Sequence, residues 1–116
     1  VPVSGAAPLP VMQTYPVATS VPVSGSATSS GVSGTFSPAM GLPIWLRISG
    51  TWTGNVALER SDDDGVSWFA ATLYTGDALA WAQNVNAPVT EETVSGAQYR
   101  LNMSVSSGTI VYEIRQ

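Results

Sequence analysis

Alternation with a period of two residues, interrupted at short intervals by turn formers, is the feature that most narrows the folds open to this chain. The run 44-IWLRIS-49 puts Ile44, Leu46 and Ile48 on one face, and 55-NVALER-60 does the same with Val56 and Leu58. Further on, 98-QYRLNMSV-105 aligns Tyr99, Leu101, Met103 and Val105, and 109-TIVYEIR-115 aligns Ile110, Tyr112 and Ile114. Successive side chains of a strand point to opposite faces, so such runs bury one face and leave the other in water. The segment 67-SWFAATLY-74 is apolar on both faces, and 31-GVSGTFS-37 and 88-PVTEET-93 add two more extended stretches. Turn signals separate the runs at 49-SGTWTGN-55, 61-SDDDG-65, 75-TGDA-78, 86-NAP-88, 95-SGA-97 and 106-SSG-108. No helical period persists for three turns. The expectation is an all-β fold: an antiparallel sandwich of about seven strands, immunoglobulin-like or jelly-roll-like, with an extended N-terminal arm.

The arm is read from composition. Five of the eight prolines precede residue 30, mixed with Ser, Thr, Gly, Ala and Val, and no charged residue occurs before Arg47. Such a segment lacks the material for a core of its own, and X-Pro units bias it toward extended geometry. The expected division is therefore an arm over 1–37 and a β-sandwich domain over 38–116. Within the arm, 1-VPVSG-5 recurs unchanged as 21-VPVSG-25. Valines at alternate positions share a face, and Pro2 and Pro22 lack an N–H, so either copy suits the exposed edge of a sheet. Val1, Pro2, Val3, Val21, Pro22 and Val23 are the candidate partner-binding residues of the arm.

At 116 residues the chain has room for one modest core. It has no cysteine and no histidine, which removes disulfides, thiolate and imidazole chemistry, and the usual zinc ligand sets. Charged residues make up 10% of the chain, with eight acids against four arginines and a net charge of -4, so the cationic footprint of a nucleic-acid binder is missing. So few charges suit a protein that covers much of its surface by assembly, as a homo-oligomer or in many symmetric copies. No run of about 18 apolar residues predicts a membrane span, and no basic-then-apolar stretch at the start predicts a retained secretory signal. A start at Val1 is what removal of an initiator methionine would leave.

Ser61, Asp63, Gly65, Ser67 and Trp68 match the pattern S-x-D-x-G-x-[ST]-W, and the stretch resembles the Asp-box of sialidase-like propellers and many other β-proteins. In those families the motif is structural. The aspartate accepts backbone N–H groups across a turn, glycine takes the positive-φ position, and the aromatic anchors the hairpin. A propeller repeats the box in each blade, whereas here it occurs once. Clustered Asp62, Asp63 and Asp64 also offer hard oxygens for calcium, but their spacing is not that of an EF-hand loop, and an exposed acidic hairpin tip is the favoured reading. No metal and no cofactor is expected.

A carboxylate pair for acid/base catalysis would have to come from Glu91, Glu92 and Glu113. Adjacent strand residues face opposite ways, and Glu113 lies on the polar face with Arg100 as its expected cross-strand partner, so no enzyme is expected. Trp45 and Trp52 flank inward aliphatics, which makes them candidate contacts for a glycan or a protein partner.

The segment 50-GTWTGNVALERSDDDGVSWFA-70, followed by 99-YRLNMSVSSGTIVYEIRQ-116, resembles small virion structural proteins of tailed bacteriophages and prophages, and 34-GTFSPAMGLPIWLRISG-50 continues the likeness upstream. The resemblance implies a β-sandwich in the virion, contacting major capsid or tail proteins, as a capsid decoration or cement protein. Its alternative is a tail-accessory or fibre module that binds a host-surface glycan or receptor. It brings across no catalytic residue. The repeated VPVSG lies outside the likeness.

Overall fold

The computed structural model describes residues 19–73 and 75–116. The chain is all-β and forms two antiparallel sheets that face each other across one core. Its strands, in order, are β1 (Val23–Ala27), β2 (Gly31–Val32), β3 (Pro43–Ser49), β4 (Trp52–Ser61), β5 (Phe69–Ala70), β6 (Ala80–Trp81), β7 (Val85–Glu91), β8 (Gln98–Gly108) and β9 (Ile110–Arg115). The first sheet has the order β1-β9-β3-β7. The second has the order β2-β8-β4-β5, with β6 also paired to β4.

Period two decides which side chains meet between the sheets. Ile44, Leu46 and Ile48 of β3 and Ile110 and Ile114 of β9 are closed from solvent on one side, facing Val56 and Leu58 of β4 and Tyr99, Leu101 and Met103 of β8 on the other. Each buried aliphatic or aromatic side chain stabilises the fold by roughly 1.5–3 kcal/mol relative to exposure. Alternation along β3 is complete: Pro43, Trp45 and Arg47 are exposed between the three buried residues.

The core reaches upstream of the 37/38 boundary expected from composition. Phe36 is fully buried and exchanges backbone hydrogen bonds with Tyr99, at 2.8 and 2.9 Å. Ser33 is buried, and its Oγ accepts the Leu101 N–H at 2.8 Å. β1 pairs with β9 from Val23↔Ile114 to Ala27↔Ile110. A proline-rich composition describes a segment that cannot form a core alone; it does not stop that segment from completing a core built by others. Residues 1–18 of the expected arm, with Val1, Pro2 and Val3, lie outside the described residues.

Other expected elements shift in extent. Among the described residues of the apolar run 67–74 there are only β5 and a bridge between Thr72 and Ala78, and Phe69 and Leu73 are exposed. The stretch 49–55, read as a turn, turns only at its start: β4 begins at Trp52 and carries a register shift between Thr53 and Gly54. Glu113 pairs with Arg47 at 3.4 Å rather than with Arg100, because β9 lies beside β3 in the first sheet while Arg100 is on β8 in the second.

Two corners carry the chain from sheet to sheet at one end. β3 passes to β4 through Gly50 and Thr51, and β8 passes to β9 through Thr109. The corners touch, since the Thr109 N–H donates to the Thr51 carbonyl at 2.9 Å.

Candidate binding groove and hairpin tip

The Asp-box region folds as the sequence implies, into a self-contained tip between β4 and β5. Asp63 Oδ1 accepts the Ser61 hydroxyl at 2.7 Å and the Ser67 N–H at 2.9 Å, while Oδ2 accepts the Ser67 hydroxyl. Ser61, wholly buried, accepts the Gly65 N–H at 2.9 Å, and Gly65 takes φ of 84°. Trp68 donates its indole N–H to the Gly65 carbonyl at 3.2 Å, and the Arg100 guanidinium stacks 4.3 Å from its ring centroid. Hydrogen bonds from Ser67, then from Ser61, hold the Asp63 carboxyl at about 2, below its ordinary value. Its oxygens are thus committed to the turn. Among the described residues, no group of three or more carboxylates is arranged to hold a metal ion.

Of the two candidate tryptophans, the structure separates the roles. Trp52 is half-buried against the core, and its indole N–H donates to Asn84 Oδ1 at 2.8 Å, while Asn84 Nδ2 donates to the Gly50 carbonyl at 3.1 Å. It pins a loop. Trp45 is 40% exposed on the outer face of the first sheet, opposite Arg115 on β9 and Pro88 on β7. Arg47, Glu113 and Arg115 form an ion-paired row beside it. Within the second VPVSG, Val21 and Pro22 are exposed and Val23 is half-buried against the core. Gly25 lies under the Tyr112 ring, where a Cβ would sit 2.7 Å from the phenol oxygen.

Sequence reasoning missed the concavity beside Glu92. A groove of about 650 Å³ opens between the β7 edge of the first sheet and the β5 side of the second. Pro43, Pro88, Val89, Phe69, Leu73 and Val94 supply its apolar surface, and Arg60, Glu92 and Tyr99 also line it. Arg60 donates from Nε to Glu92 Oε1 at 2.6 Å and from Nη2 to Oε2 at 2.9 Å. Tyr99 donates its hydroxyl to Oε1 at 2.7 Å, and the Thr93 and Val94 N–H groups donate to Oε2 at 3.1 and 2.9 Å. Glu91 is exposed, so the adjacent glutamates do face opposite ways. The missed signal is parity: Arg60 shares the inward register of Val56 and Leu58, which calls for a buried counter-charge.

Paired in this way, the Glu92 carboxyl is held at about 2 by the Arg60 hydrogen bonds, against an ordinary value of 4.5, with burial opposing. Burial and the bond to Glu92 push the Tyr99 phenol well above its ordinary range. A lowered folded-state pKa gives stability that is fully present above the unfolded value and is lost as pH falls through the folded one. Thermal melts should therefore hold level down to about pH 5 and lose stability from about 4.5 to 2, with Asp63 adding in the same direction. Glu92→Gln should flatten most of that slope; an unchanged acid limb would remove Glu92 as its cause.

The Glu92 carboxylate in the groove is thus engaged by five donors. Comparison with family models, curated proteins and solved structures finds no match to this chain.

Proposed function

We propose that this chain is a non-enzymatic structural protein of a tailed-bacteriophage particle, a capsid decoration or cement protein whose N-terminal arm docks on neighbouring subunits. The observation that carries the reading is the second VPVSG. Its Val23 and Gly25 lie in β1 as an edge strand, Val23 against the core and Gly25 beneath Tyr112, and an identical pentapeptide stands twenty residues upstream. A peptide that completes a sheet edge in its own domain has the chemistry to complete one next door. Symmetric repetition of such contacts turns weak docking into firm attachment. The sparse charge of the chain fits a surface covered in assembly.

The test is removal of residues 1–18, which leaves β1 and the core in place. Expected is a folded chain that no longer joins the particle at full occupancy; full occupancy by the truncated chain sinks the arm reading. A second reading, a tail-accessory or fibre module for a host-surface glycan, is favoured by Trp45 standing exposed beside Arg47, Glu113 and Arg115. It expects glycan binding that Trp45→Ala abolishes without changing stability, and fails if the chain binds nothing across a glycan panel.

A further inference from the structure

The groove and the N-terminal segment fit each other, and the fit names an acceptor for the arm. Three observations lead there. First, β7 pairs only with β3 among the described residues, so no described strand covers its outer backbone edge beside the groove, where Phe69, Leu73 and Val94 are exposed. A sheet edge bordering apolar surface is a site for an added strand.

Second, residues 1–23 obey a strict parity. Every proline stands at an even position (Pro2, Pro8, Pro10, Pro16 and Pro22), and every valine and leucine stands at an odd one (Val1, Val3, Leu9, Val11, Val17, Val21 and Val23). In an antiparallel strand the N–H and C=O of one residue point to the same side, and neighbouring residues point to opposite sides. Prolines confined to one parity therefore leave one side with missing donors and the other side intact. Such a strand can pair on one side only, with its aliphatics along one face. β1 follows this parity: Val23, Gly25 and Ala27 are its half-buried positions, and among the described residues its neighbour in the sheet is β9 alone.

Third, the chain leaves the described structure close to the groove. The Ser20 hydroxyl donates to Gln116 Oε1 at 2.6 Å, and Gln116 Nε2 donates to the Leu42 carbonyl at 3.1 Å, next to Pro43 in the groove wall. The Val23 end of β1, Pro43 and Glu91 all lie at this end of the first sheet.

We infer that Leu9–Val17 of one copy of this chain adds as an edge strand to β7 of a second copy, with Leu9, Val11, Gln13, Tyr15 and Val17 facing the groove. Direction selects the second copy. A segment laid on β7 of its own chain must reach the Glu91 end at Val17, and so would run parallel to β7, whereas every pairing in both sheets is antiparallel. A strand from another copy can run antiparallel. The inference deepens the assembly reading but needs no particle, so its failure and that reading's failure are separate results.

The test is amide exchange of the uniformly labelled full chain, followed by NMR across a concentration series beside sedimentation mass. Expected is alternating protection: Val11, Gln13, Tyr15 and Val17 slow, Met12 and Thr14 fast, appearing only as mass rises above the monomer. Leu73→Asp, at a residue 48% exposed, should weaken association by about tenfold or more and erase the alternation, while β8 amides stay protected. Alternation in the dilute monomer, no alternation in the associated form, or indifference to Leu73→Asp each overturns the inference.

Discussion

Glu92→Ala lowers the free energy of unfolding by about 3–5 kcal/mol, measured by denaturant titration of tryptophan fluorescence at neutral pH. Truncation removes the acceptor of five hydrogen bonds and leaves the Arg60 guanidinium in an inward register with only Asp62, at 3.9 Å, to answer its charge. It also strands the hydroxyl of Tyr99, a residue 2% exposed. The loss measures the cost of an unpaired charge and hydroxyl, which is larger than the net contribution of the pair itself. That distinction can be checked. The triple variant Arg60→Met, Glu92→Leu, Tyr99→Phe, which removes all three polar partners together, should recover most of the stability. A triple variant as unstable as the single one would mean that the network contributes through its charges after all.

The second large effect is expected at Gly108, where Gly108→Ala should cost about 3 kcal/mol or more and broaden or abolish cooperative unfolding. Gly108 ends β8 with φ of 82°, a conformation that side-chain-bearing residues adopt only under strain. A Cβ there would drive into the Thr51 carbonyl oxygen and come within 2.7 Å of the Trp52 Cα. Both are backbone atoms of the other corner, so neither can rotate aside. Relief requires the two corners to part, breaking the Thr109 to Thr51 hydrogen bond that joins them. Gly31→Ala, where a Cβ meets nothing within 4 Å, is the control and should cost less than about 1 kcal/mol. Equal losses at the two sites would remove the steric argument.

How much was legible in the sequence follows from what each residue's neighbours could reveal. Ile44, Leu46 and Ile48 alternate with Pro43, Trp45 and Arg47, so local order alone exposed their inward face. The tip at Ser61–Trp68 was equally readable, because its hydrogen bonds close within a few residues. The groove was not. Its inward ion pair joins residues 32 apart, and charged residues on strands read as solvated unless register is followed to the strand's end. The run 67–74 misled because apolarity on both faces suggests a buried strand, while here part of it lies against a groove open to solvent. Proline-rich composition placed the boundary at 37, because the partners that bury Phe36 and seat β1 are Tyr99 and β9, far along the chain. In Trp52 and Trp45 the sequence offered two equal candidates, and the packing of Trp52 on the core with its Asn84 hydrogen bond distinguishes the pinned ring from the exposed one.

The order of strands in the first sheet also sets a timetable. β9 lies between β1 and β3, and Gln116 ties Ser20, Ala39 and Leu42 together across 96, 77 and 74 residues of sequence. Among the described strands, β1 has no neighbour until the segment 110–116 is in place. Without that segment the inward faces of β3 and β4 lack the cover of Ile110 and Ile114, and an incomplete chain is open to mispairing. A chain cut short before Ile110 keeps every described strand of the second sheet but lacks the strand that joins β1 to β3, so its first sheet stays unclosed.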